Sequence, residues 1–141
     1  MKPRLRHIAL RVKDLEASAT FYESVFGFER VGREEIPIGA AVYLSDGVIN
    51  LALLNYYGQE GAASEGAADT AGTDHFGVQV DDIDAMREVI ESSGGTFYFD
   101  LGDTRKGNFE RKFKDPDGIV FDISHHGWLG TDSRRTEGES Q

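Results

Sequence analysis

The sequence predicts an α+β fold assembled from two consecutive βαβββ modules, and three observations carry that expectation. The chain repeats itself, each copy opens with an alternating segment that turns helical and stops at glycine, and each copy closes on short apolar runs set off by Asp-Gly turns. The repeat is direct. RHIALRVKDL, residues 6 to 15, matches DHFGVQVDDI, residues 74 to 83, with His7/His75, Val12/Val80, Asp14/Asp82 and Leu15/Ile83 all offset by 68.

Each element has a local cause. The alternating stretch around His7 suits a strand; Asp14 then stands where an N-cap belongs, and the helix it starts runs from about Leu15 to Phe26. Gly27 ends it, because only glycine enters the left-handed region without a steric cost. In the second copy Asp82 starts a helix from about Ile83 to Ser92, which stops at Gly94-Gly95. Asp46-Gly47 and Asp117-Gly118 are hairpin signals, followed by the apolar runs Val48 to Leu54 and Ile119 to Ile123. Module one covers about residues 4 to 57 and module two about 73 to 127, giving one domain over residues 1 to 128. The small and acidic residues of the 58–72 stretch read as a flexible linker. The polar residues 129–141 have the composition of a disordered tail.

Bulk properties narrow the function. At 141 residues and 39% hydrophobic content the chain is long enough to bury the core of a single domain. A formal net charge of -10, with no Lys/Arg run longer than two, excludes nucleic acid as a partner. Cysteine is absent, so any metal site must be built from histidine and carboxylates. No apolar run approaches the roughly 18 residues of a membrane span, and the N-terminus lacks a signal-peptide core, so a cytoplasmic protein acting on a small molecule is expected.

Strand parity then picks out a candidate site. Side chains alternate faces, so Ile8, Leu10 and Val12, and likewise Phe76, Val78 and Val80, form apolar faces suited to pack under helices. His7 and His75 therefore point to the opposite face of the sheet, at equivalent positions of the two modules. Asp122 joins them by the same argument, since its neighbours Phe121 and Ile123 belong on the helix side. Two imidazoles and a carboxylate with open positions describe either a catalytic zinc site or the facial triad of non-haem iron. The alternative for each residue alone is an ordinary hydrogen-bonded polar side chain.

These residues resemble the vicinal oxygen chelate superfamily, which includes glyoxalase I, bleomycin resistance proteins and extradiol dioxygenases. The resemblance runs over roughly residues 4 to 126 and is carried by His7 in RHIALRVKDLEASATFYESVFGF, His75 in GTDHFGVQVDDIDA, and DPDGIVFDI at residues 115 to 123. It implies that the paired modules form a U-shaped mixed sheet around one divalent metal ion, Fe, Zn, Ni or Mn, held by His7, His75 and Asp122. It also implies a homodimer. Two departures stand out: the final carboxylate is Asp122 where the family usually has Glu, and the position of glyoxalase I's other metal-ligating Glu falls on Asn50, which is also the repeat counterpart of Asp122 if the second hairpin has one extra residue. An amide is a poor base, so proton transfer would pass to Asp122 as the catalytic residue or to a metal-bound water.

The resemblance implies a metal-dependent enzyme, dioxygenase-like or a lyase or isomerase, acting on a catechol-like or α-oxo substrate by bidentate chelation. The alternative is a metal-free binding protein of the bleomycin-resistance type. Arg11, Asn50 and Gln79 are candidate substrate-binding residues; for Arg11 the competing reading is a surface ion pair. The charge-dense stretch Asp103 to Lys114 reads as a solvated hairpin, and His126 as a rim residue too far along its strand to join the site.

Overall fold

The computed structural model describes residues 2–57 and 71–134. The linker expected at 58–72 lies, up to residue 70, outside the described residues, as do residues 135–141 of the expected tail. The observed order repeats as expected: β1 (Arg4–Arg11), α1 (Leu15–Phe26), β2 (Glu29–Ile36), β3 (Gly39–Ser45) and β4 (Asn50–Tyr56), then β5 (Gly72–Gln79), α2 (Ile83–Ser92), β6 (Thr96–Leu101), β7 (Glu110–Lys114) and β8 (Val120–Ser124). Both helices begin as the sequence requires. The Asp14 carboxylate accepts from the Ala17 amide and the Asp82 carboxylate from the Ala85 amide, both at 3.0 Å. Each such cap contributes about 1 kcal/mol. Gly27 closes α1 with φ at 72°.

All eight strands form one mixed sheet, ordered β2-β3-β4-β1-β5-β8-β7-β6. β1 and β5, the equivalent first strands, lie side by side and antiparallel at its centre, while each runs parallel to the last strand of its own module. The duplication thus becomes an approximate two-fold axis between β1 and β5. Bulges on either side of His7–Ala9 re-aim the side chains there.

The apolar faces divide as their periodicity demands. Leu10, Val12, Leu15 and Tyr22 pack against Val42, Leu44 and Leu53 under α1; Val78, Ile83, Met86 and Ile90 pack against Val80, Phe113 and Ile123 under α2. With both helices on that side, the other face is left concave. Ile36 on β2 and Leu101 on β6, near opposite edges of the sheet, line the same cavity, so the sheet curls into a cup.

Residues 129–134 depart from the tail expectation. Thr131 is fully buried and Arg134 nearly so. The segment is tied down by the Gly130 carbonyl, which accepts from Ser45 Oγ at 2.5 Å, by Ser133 Oγ, which donates to Gln79 Oε1 at 2.6 Å, and by Arg134, which donates to the Gly107 and Gly127 carbonyls. Composition misses it because specific hydrogen bonds hold it, rather than apolar area.

Candidate metal centre

His7, His75 and Asp122 meet at the seam between the modules. One ligating atom from each lies within 4.8 Å of the others, and all three side chains are buried. The His7 and His75 Nε2 atoms are 3.3 Å apart, and His75 Nε2 is 3.2 Å from Asp122 Oδ2. All three come from one chain, so the cluster is complete without a second copy.

Each histidine is anchored through its other nitrogen. His7 Nδ1–H donates to Asn50 Oδ1 at 2.8 Å, and the Asn50 amide donates in turn to the Leu129 carbonyl. His75 Nδ1–H donates to Asp74 Oδ2 at 2.7 Å. The Asp74 carboxylate is held by Arg11 at 2.6 Å and by the Tyr56 hydroxyl at 3.1 Å. Such anchoring fixes the tautomer that leaves Nε2 with its lone pair toward the cluster, the arrangement metal-ligating histidines adopt. Trp128 stacks on the His7 ring at 4.9 Å and 4°, and Gly77 leaves room for it: a Cβ there would come within 2.6 Å of the indole.

The donor set fits a divalent cation. Asp122 Oδ2 is buried, makes no well-aligned hydrogen bond and faces His75 Nε2 at 3.2 Å, whereas its other oxygen accepts from Lys112 Nζ at 2.6 Å. Two imidazole nitrogens and one carboxylate oxygen suit Zn, Fe, Ni or Mn. Burial, reinforced by the neighbouring His75, lowers His7 to a pKa of about 3, so its ring is neutral. For His75 burial acts in the same direction, but the Asp122 and Asp74 carboxylates overcome it and raise the pKa to about 9. Burial would likewise raise Asp122, yet His75 and Lys112 hold it well below the usual carboxylate range. Without metal, then, a proton on His75 stands in for the cation.

The register corrects one sequence-based correspondence. His7 pairs with Asn50 and Ala9 with Ala52 across β1 and β4, whereas Gly77, the counterpart of Ala9, pairs with Asp122. Ala52, not Asn50, is therefore the module-one equivalent of Asp122. It lines the cavity and leaves space where a fourth side-chain ligand would stand.

The other expected residues sit one step back. Arg11 is committed to Asp74, the ion-pair alternative raised by its position, and in a buried rather than surface setting. Gln79 is fully buried, donates to the His125 carbonyl and accepts from Ser133, so it braces the 129–134 segment. Asn50 borders the outer cup, but both ends of its amide are engaged. His126 borders the outer chamber too, away from the cluster, as a rim position requires.

Two residues of the stretch read as a solvated hairpin prove to belong to the site. Lys112 is fully buried, bonded to Asp122 and 3.6 Å from Glu110, and Glu110 accepts from Trp128 Nε1 at 2.5 Å. Parity could have found them. Phe113 packs in the core, so Glu110 and Lys112 must share the concave face. A cavity of about 70 Å³ opens on His7, His75, Glu110 and Lys112, walled by Ile36, Leu54 and other apolar residues. It adjoins an outer chamber of about 500 Å³ that shares Glu34, Tyr43, Leu101 and Glu110 and carries Arg33, Arg105 and Lys106 at its edge.

Residues 4–123 match the model of the Glyoxalase/Bleomycin resistance protein/Dioxygenase superfamily. The chain belongs to this superfamily. A lactoylglutathione lyase of Haemophilus influenzae is 31% identical over 130 residues, covering 85% of this chain and 90% of that one. A putative lactoylglutathione lyase of Brassica oleracea is 28% identical over 135 residues, covering 89% of this chain and 45% of the plant protein. The chain thus spans less than half the length of the plant members it matches. A methylmalonyl-CoA epimerase of Streptomyces coelicolor shares the superfamily fold with a TM-score of 0.70 at 23% identity, covering 85% and 94% of the two chains. A hypothetical protein of Bacillus halodurans does so with a TM-score of 0.73 at 17% identity, covering 87% and 94%.

Proposed function

We propose that the protein is a divalent-metal-dependent lyase or isomerase, with His7, His75 and Asp122 as the ligands, acting on a small substrate that carries an acidic C–H beside a carbonyl. The observation that carries this reading is the convergence of three buried ligating atoms, each imidazole anchored at Nδ1, on a cavity with room for substrate oxygens. A bound divalent ion would supply Lewis acidity, stabilising negative charge that develops on a substrate oxygen. The chain's own residues do the rest. Apolar walls exclude water, Asn50 and Asp74 fix the two rings, and the buried carboxylates and Lys112 set the field around the reacting carbon.

The similarity to lactoylglutathione lyases supports lyase or isomerase chemistry and nominates S-lactoylglutathione as the first probe. Because each chain holds a whole cluster, a homodimer would carry two such sites. The test is isomerase and lyase assay of chelator-treated protein reloaded separately with zinc, nickel, manganese and ferrous iron. Activity that returns with at least one metal and disappears in His75→Ala supports the reading; no activity with any metal on thioester or α-oxo probes would overturn it.

One observation favours a second reading. With Ala52 at the equivalent of Asp122, the set is two histidines and one carboxylate with an open side, which is also the ligand pattern of non-haem iron oxygenases. Oxygen uptake by ferrous-loaded protein with a catechol, absent with zinc, would select it.

A further inference from the structure

We propose that Glu110 is the carboxylate that takes the proton from the substrate carbon. This assignment rests on the lyase or isomerase reading and extends it, because that chemistry needs a base, the module-one equivalent of Asp122 is Ala52, which has no ionisable group, and the Asn50 amide is a poor base engaged at both ends. Glu110 borders the same cavity as His7 and His75 and is held from two sides. Trp128 Nε1 donates to Oε2 at 2.5 Å while its ring lies against His7, and Lys112 Nζ stands 3.6 Å from Oε1 on the way to Asp122. The carboxylate is therefore built into a ring of contacts around the cluster: Asp122, Lys112, Glu110, Trp128, His7.

Among the described residues, the other carboxylate bordering this cavity is Glu34 on β2, which accepts from the Tyr43 hydroxyl at 3.1 Å. Asp122 is already bonded to Lys112 and faces both imidazoles. Burial, with the Asp122 charge behind Lys112, pushes the Glu110 carboxyl up from its ordinary value, the direction a base for carbon acids needs. In the step itself the C–H bond breaks, its electron pair forms a double bond to the carbonyl carbon as the carbonyl π pair moves onto the oxygen, and Glu110 becomes a neutral carboxylic acid. Return of that proton to the neighbouring carbon completes an isomerisation in which nothing else is consumed.

The experiment follows exchange of the acidic C–H of S-lactoylglutathione, and of methylmalonyl-CoA as a second thioester, in deuterated water by proton NMR. Parent protein, Glu110→Gln, Glu110→Asp and Glu34→Gln are compared, each loaded with one equivalent of zinc or nickel. Glu110→Gln, which keeps the size of the side chain, is expected to lower the exchange rate by about 100-fold or more. Its metal affinity and its calorimetric affinity for the probe should stay within about threefold of the parent, and Glu110→Asp should recover part of the rate. Exchange in Glu110→Gln close to that of the parent would overturn the assignment alone. So would a loss confined to Glu34→Gln. A metal-loaded parent that exchanges neither probe would overturn the lyase or isomerase reading, and this assignment with it.

Discussion

His7 and His75, 68 residues apart in sequence, face each other Nε2 to Nε2 at 3.3 Å across the antiparallel seam of β1 and β5. The contact follows from the duplication. Equivalent residues of two modules related by an approximate two-fold axis meet where the axis passes, and a carboxylate from β8 closes the third side.

The two rings titrate in opposite directions, which fixes a pH profile for chelator-treated protein. The folded pKa of His75, about 9, lies above its ordinary 6.5, so its stabilisation is complete below 6.5 and is lost as pH rises through about 9. The folded pKa of His7, about 3, lies below 6.5, so its stabilisation is present above 6.5 and is lost as pH falls toward 3. The stability difference between the parent and His75→Gln should therefore shrink from pH 6.5 to 9, and zinc affinity should rise over the same interval as the Nε2 proton leaves. Paired thermal melts and metal titrations measure both. A stability difference that grows with pH would contradict the assigned charge states.

Lys112 balances Asp122 when no metal is present. Replacing Lys112 by methionine leaves Asp122 buried beside His75 with its closest cation removed, and loss of one partner of a buried pair typically costs about 3–5 kcal/mol. Metal should restore more stability to Lys112→Met than to the parent, since the ion takes over part of the lost charge compensation. Denaturant unfolding with and without zinc checks this; equal metal-induced stabilisation in the two proteins would count against it.

Asp74 acts through His75 rather than on any ligand itself. Asp74→Asn keeps an acceptor for Nδ1–H but removes the charge shared with Arg11, and changes of this kind typically weaken metal binding about 10–100-fold. Competition with a chromophoric chelator gives the affinity directly. An unchanged constant would mean that Asp74 serves the fold alone.

Gly77 tests the packing over His7. A methyl group there would stand 2.6 Å from the Trp128 ring and 3.0 Å from His7 Cβ, so the indole must move. Gly77→Ala is expected to lose about 1–3 kcal/mol and to red-shift the fluorescence of Trp128, the single tryptophan of the chain. Parent-like emission and stability would show that the indole position is not set by this contact.

How much of this was legible in the sequence depended on whether a residue obeyed the period of its element. Alternation placed His7, His75 and Asp122 on one face because their neighbours Ile8, Phe76 and Ile123 are plainly apolar. Asp14, Asp82 and Gly27 marked helix ends because capping chemistry is local. Glu110 and Lys112 obey the same parity, but the charge around them, from Asp103 to Lys114, favoured a solvated reading, and only Phe113 hinted otherwise. The pairing of Ala52 with Ala9 depends on register between distant strands, which no local pattern specifies. Residues 129–134 were invisible for a different reason: Gly130, Ser133 and Arg134 are each held by a partner more than 25 residues away, and composition does not encode such bonds.

If His7, His75 and Asp122 bind one divalent ion together, as proposed, a metal titration will show it. Chelator-treated parent, His7→Ala, His75→Ala and Asp122→Ala would be titrated with cobalt and zinc, with stoichiometry taken from elemental analysis after desalting. One ion per chain in the parent and a large loss in each variant, with far-UV circular dichroism unchanged, is the expected result. Parent protein that retains no ion, or variants that retain as much as the parent, would contradict it.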